Sequence, residues 1–151
     1  MKNSIKRLLG GSVFASHLAA FFLRNVAVVV AFHRVNDLDD ADPLAISVDT
    51  FERHCRFFSR YFTVVALRDL VDKLEQGAPI DRHLAITFDD GYRDNYENAR
   101  PVLERLNLPA TFFIVSDWVG TETVPPWDRQ RRVRHPWMGW DEVCDLHARG
   151  F

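Results

Sequence analysis

Asp89 and Asp90 stand side by side directly after the apolar run 84–88, in "LAITFDDGYRDNY". Two carboxylates so close repel each other, which pushes one of their pKa values upward. A bound cation removes that cost and leaves one metal ligand and one general base, the pair a metal-assisted hydrolysis needs. Neighbouring residues on a regular strand point to opposite faces. Both carboxylates reach one cleft only where the strand breaks into a turn, and Gly91 supplies such a break. The competing reading is a plain Asp-Gly turn. Those usually join antiparallel strands, and the strand-then-helix context here weighs against it. An Asp-x-Asp phosphatase is a third reading, but its nucleophile and acid lie two residues apart, which the adjacent pair does not match.

Among the other groups that could join such a pair, His33 closes the first strand and shares a rim with Asp89. It is the candidate for lining a substrate cleft. His17, His54 and His147 fall in helical stretches and read as surface or packing residues, while His83 and His135 fall in loops with no partner at ligand spacing. Asp37, Asp39, Asp40 and Asp42 lack the Gly and distal Glu of a calcium loop and read as a solvated acidic loop. Arg129, Arg131, Arg132 and Arg134 form a local basic run, read first as a solvated face and second as a contact for an anionic ligand. Cys55 and Cys144 lie in helix-like stretches and are expected to be core thiols; no Cys/His zinc spacing occurs.

The elements that must carry these residues alternate. "VAVVVAF", 26–32, is a continuous β-branched run that suits a strand buried on both faces. "HRVNDLDDADP" reads as a polar loop. "VDTFERHCRFFSRYF" reads as a helix with Phe51, Cys55, Phe58 and Phe62 on one stripe and a capping box from Asp49 and Glu52. "TVVA", 63–66, is a short strand. "LRDLVDKLEQG" is a helix with Leu67, Leu70, Val71 and Leu74 inward and Gly77 as its stop. "LAITF" is a strand, and "DNYENARPVLERLN" a helix that buries Tyr96, Ala99, Val102, Leu103 and Leu106, with Pro101 expected to kink or split it. "ATFFIV", 110–115, is a further strand, and "WDEVCDLHARG" a closing helix capped at Gly150. Alternating strands and helices specify an α/β fold with a parallel sheet or barrel.

Several segments together resemble one family. "LAITFDDGY" resembles the first motif of the polysaccharide deacetylases, carbohydrate esterase family four. "FHRV", "ISVDTFERH", "FTVVALRDLVDKLEQG", "LPATFFIVSDWVG" and "MGWDEVCDLHARGF" continue the likeness in order over nearly the whole chain after residue 25. The resemblance implies a distorted (β/α) barrel and hydrolysis of acetyl groups on an N-acetylated polysaccharide or oligosaccharide with a divalent metal, zinc first. It implies that Asp89 is the catalytic base and Asp90 a metal ligand, with Asp89 taking the proton of a metal-held water as that water attacks the acetyl carbonyl. The family's two histidine ligands come from a His-Ser/Thr-x-x-His motif that this sequence does not contain. The chain as it stands is therefore expected to hold metal weakly and not to catalyse.

The remaining bounds are compositional. With 151 residues, 47% hydrophobic and 26% charged, the chain has material for one globular domain rather than a disordered segment. A net charge of −2 argues against nucleic acid as a partner. Residues 1–25 read as a helix packed on the domain, with an export signal or membrane anchor as the less favoured reading, since no apolar stretch reaches the length of a span. Residues 26–151 read as a partial deacetylase domain. Gly150-Phe151 falls where another strand is expected, so the sequence reads as the front part of a truncated barrel whose exposed sheet edge favours self-association. The alternatives are an inactive truncated paralogue or partner-binding fragment, and an unrelated metal-dependent hydrolase. Cytoplasm and cell envelope both remain open.

Overall fold

A computed structural model describes residues 24–38 and 42–151. The N-terminal segment 1–23, with His17, and the acidic residues Asp39 and Asp40 lie outside the described residues.

With strands and helices numbered in chain order, β1 (Ala27–Phe32) and β5 (His83–Phe88) form the centre of a parallel sheet, paired residue for residue from Ala27↔His83 to Phe32↔Phe88. β4 (Thr63–Val64) pairs with the start of β5, and β6 (Thr111–Phe112) with its end, both parallel. A second small parallel pair joins β2 (Arg34–Val35) to β3 (Ala45–Ile46). The helices are α1 (Val48–Tyr61), α2 (Leu67–Glu75), α3 (Arg100–Leu106), α4 (Pro126–Arg131) and α5 (Trp140–Ala148). No helix among the described residues is long and apolar enough to cross a membrane.

Strand alternation sorts the side chains into two layers. Leu84, Ile86 and Phe88 turn to one face and join Phe32, Phe51, Cys55, Val102 and Leu103 in the main core. Ala85 turns to the other face, where Leu70 and Ile80 cover it. The Phe51 ring sits 5.1 Å from Phe32 and 5.7 Å from Phe88, and Phe112 stacks on Phe88 at 4.7 Å. Each of the buried rings Phe32, Phe51 and Phe88 contributes roughly 1.5–3 kcal/mol relative to exposure. This packing locks the ends of β1, β5 and β6 at one level, where the candidate residues begin.

Several local expectations change. The α1 cap is Ser47, whose hydroxyl accepts the Thr50 amide at 3.3 Å, rather than an Asp49–Glu52 box. Val71 and Leu74 on α2 are exposed, because only Leu70 and its neighbours meet the small Ala85 surface. "ATFFIV" is a strand only at Thr111–Phe112. The stretch read as a polar loop contains β2, whose Arg34 and Val35 are buried. Cys55 is a core thiol as expected, but Cys144 is exposed on α5. Pro101 does not split its helix: a π-helical turn at Asn95–Ala99 runs directly into α3 at Arg100.

Candidate active-site rim

The register of β1 against β5 makes His33 and Asp89 the next residues of two aligned strands. The Asp89 amide donates to the Phe32 carbonyl at 2.9 Å, so the pairing continues one step past the strand end. His33 Nε2 lies 3.9 Å from Asp89 Oδ2, close enough for charge to be felt and too far for a direct hydrogen bond.

After Asp89 the backbone turns left-handed twice in succession, at Asp90 (φ 71°) and Gly91 (φ 84°). Aspartate tolerates this region better than most side chains because it bonds locally. A Cβ at Gly91 would stand 3.2 Å from Ile114 Cγ2, so close packing as well as φ requires glycine there. The double reversal lets Asp90 leave the strand's alternation, as both carboxylates on one rim demand. Burial is the largest influence on Asp90 and pushes its carboxyl above the ordinary range. The His33 imidazole works against this, and the Asp89 and Asp128 carboxylates add to it.

The turn is held from the far side by the segment that follows α4. The Met138 amide donates to the Gly91 carbonyl at 3.0 Å, and the Arg93 amide to the Pro136 carbonyl at 2.9 Å. The Tyr92 ring stacks on Trp137 at 4.3 Å. The Tyr92 hydroxyl donates to Asp128 at 3.2 Å and accepts from Trp127 Nε1 at 2.9 Å. Burial pushes that phenol far above its usual value.

Behind the rim lies a buried charge network that the sequence reading missed. Arg34 Nη1 donates to Asp42 at 2.7 Å and its Nε to Asp94 at 3.1 Å. Arg131 donates to Asp42 at 2.5 Å and to Asp128 at 3.0 Å. Asp42 is thus buried and doubly paired, not part of a solvated loop, and Arg131 departs from the solvated basic run around it. The one available signal was Arg34 following the rim histidine directly; nothing in the sequence marked Asp42 as its partner, or Arg131 in α4 as the second.

The other histidines stand apart from this rim. His54 and His147 are on exposed faces of α1 and α5, His83 opens β5 at the opposite end of the sheet, and His135 is buried 6.2 Å from the Tyr92 ring. Among the described residues no group of three or more His, Cys, Asp or Glu side chains could hold a metal ion. The rim has the electrostatics that favour a cation, namely clustered carboxylates with one partly desolvated, but not the three protein ligands of a catalytic zinc centre.

A sequence profile described as polysaccharide deacetylase matches residues 76–151. A Bacillus subtilis relative, YxkH, is 28% identical over 94 residues, 61% of this chain and 33% of its own length. The poly-β-1,6-N-acetyl-D-glucosamine N-deacetylase of Escherichia coli is 29% identical over 132 residues, 81% of this chain and 19% of its own. The solved structure of a de-N-acetylase from Aggregatibacter actinomycetemcomitans superposes with a TM-score of 0.67 at 26% identity, over 82% of this chain and 51% of that one. The chain thus spans between a fifth and a half of the length of these proteins.

Proposed function

The chain belongs to the polysaccharide deacetylase family, and from that premise we propose that it carries the base-bearing part of a site that hydrolyses N-acetyl groups on a polysaccharide. The observation that carries this reading is the rim. Asp89 closes β5 level with His33, and the left-handed pair that follows brings Asp90 out of the strand beside it. In this reading Asp89 is the general base, Asp90 a metal ligand and His33 a substrate-facing side chain. Asp89 accepts the proton of the attacking water, and the neighbouring His33 ring orients or neutralises charge at the same edge. The metal, zinc first, supplies a Lewis acid when bound. The described residues do not complete its ligand set. The names of the relatives support a polymer of N-acetylated glucosamine as the substrate class.

A second reading, a catalytically silent or partner-binding relative, is favoured by that same incomplete ligand set. The coding sequence beyond the Phe151 codon separates the two. A His-x-x-x-His pair shortly downstream supports the hydrolase, and an authentic stop codon supports the silent relative. The assay is acetate release from β-1,6-linked N-acetylglucosamine oligomers with added zinc. The 151-residue chain alone is expected to release none, and measurable turnover by it would refute the incomplete ligand set. In an active, longer form, Asp89→Asn should lower kcat by about 10²–10⁴-fold while zinc affinity is kept. Asp90→Asn should lose zinc affinity. An Asp89→Asn enzyme that retains full turnover would overturn the base assignment.

A further inference from the structure

Three side chains from one short stretch grip the corner where β1 passes into β2. Asp94 accepts from Arg34 Nε at 3.1 Å and Asn36 Nδ2 at 2.7 Å, and its other oxygen faces the Val35 amide at 3.5 Å. Asn95 donates Nδ2 to the His33 carbonyl at 2.9 Å, and Asn98 donates Nδ2 to the Val35 carbonyl at 2.8 Å. Backbone carbonyls on both sides of Arg34 are therefore fixed by carboxamides reaching across about sixty residues of chain.

Asn95 makes this contact at a cost. It is fully buried, and its Oδ1 has no hydrogen-bond partner. A buried carboxamide with one unsatisfied end is destabilising unless its other end does something an apolar side chain could not. Here that is the donation to the carbonyl of His33 itself. The helix is distorted at the same place. The Arg100 amide bonds to the Asn95 carbonyl, five residues back, and Pro101 has no N–H to return the chain to α register at Glu97. Such wide turns recur next to functional sites.

We infer that Asp94, Asn95 and Asn98 are positioning residues that set where the His33 imidazole stands relative to Asp89. The catalytic meaning of the inference rests on the deacetylase reading above; the contact itself can be measured without turnover. The test uses the 151-residue chain with ¹³C/¹⁵N-labelled histidine, at one fixed pH and with chelator present. The readout is the change in the His33 Cε1–Hε1 signal produced by Asp89→Asn. That change reports the His33–Asp89 contact directly.

In an Asn95→Asp background, which removes the donor at nearly constant volume, the change should fall at least two-fold. Asn98→Ala should reduce it in the same direction and, being partly exposed, is the variant that decides if Asn95→Asp does not fold. The His54 and His147 signals should stay in place in both, which a general loosening would not allow. A response of equal size in the wild type and both variants would overturn the inference. So would a wild-type His33 signal that ignores Asp89→Asn. Neither outcome depends on metal or acetate release, so failure of the deacetylase reading is read separately.

Discussion

Arg131 reaches Asp42 across 89 positions of sequence, Nη1 2.5 Å from Oδ1, and the carboxylate it meets is already bonded to Arg34 at 2.7 Å. Burial alone would raise the Asp42 carboxyl. Hydrogen bonds from Arg131, the Leu44 amide and Arg34 outweigh it and hold the group far below the ordinary carboxylate range. A depressed folded-state pKa contributes stability that is present above the unfolded value, near 3.8, and is lost as pH falls through the folded one. Asp42→Ala should therefore cost about 3 kcal/mol at pH 7, the usual penalty for leaving a buried partner uncompensated. The gap between variant and wild type in urea titrations should stay level down to about pH 5 and narrow below about pH 4. A gap that widens on acidification would contradict the pairing.

Gly91 carries two constraints and Gly77 only one. Both have positive φ, but a Cβ at Gly77 meets nothing within 4 Å, whereas one at Gly91 meets Ile114. Gly77→Ala should cost about 1 kcal/mol. Gly91→Ala should cost more, about 2–3 kcal/mol, and should also shift the Asp90 resonances. Equal costs by chemical denaturation would mean that the Ile114 contact relaxes freely.

The two thiols should part in reactivity. Burial pushes the Cys55 thiol up to about 12, so at pH 8 it is essentially never the reactive thiolate. Cys144 is exposed. Ellman's reagent should modify one thiol per native chain, and Cys144→Ser should remove that fast phase. Rapid modification of two would show that α1 opens readily.

Val29 on β1 and Phe113, the residue directly after β6, are large exposed apolar side chains, at 54% and 50%, and among the described residues β1 and β6 each pair only with β5. An apolar sheet with free edges recruits further chain. Light scattering of the 151-residue chain should show mass rising with concentration, and Phe113→Asp should lower that tendency. A concentration-independent monomer would reject self-association.

The sequence was most legible where periodicity was strong. The Phe51/Cys55/Phe58 stripe of α1 follows from helical periodicity, whereas the run 26–32 forms a strand, Ala27–Phe32, without the burial on both faces that its β-branched residues suggested, since Val29 and Ala31 are exposed. β2 and the Asp42 pairing were not legible, because a two-residue strand has no period and an acidic residue looks solvated until the arginines that fold against it are known. Of the rim, Asp89, Asp90 and His33 could be named from type and position. Asp94, Asn95 and Asn98 could not, since polar residues at the start of a helix look like ordinary surface until the corner they hold is seen.

The shared level of the strand ends has an evolutionary consequence. Phe32 pairs with Phe88 and Phe88 with Phe112, so His33, Asp89 and Phe113 follow their strands in step. Because side chains alternate with a period of two, losing or gaining a single codon inside β1 or β5 would swing a rim residue to the opposite face of the sheet and empty its place. Point changes within these strands alter volume, but frame-preserving insertions or deletions alter address. Variation in length in this lineage should therefore be purged from 27–32 and 83–88.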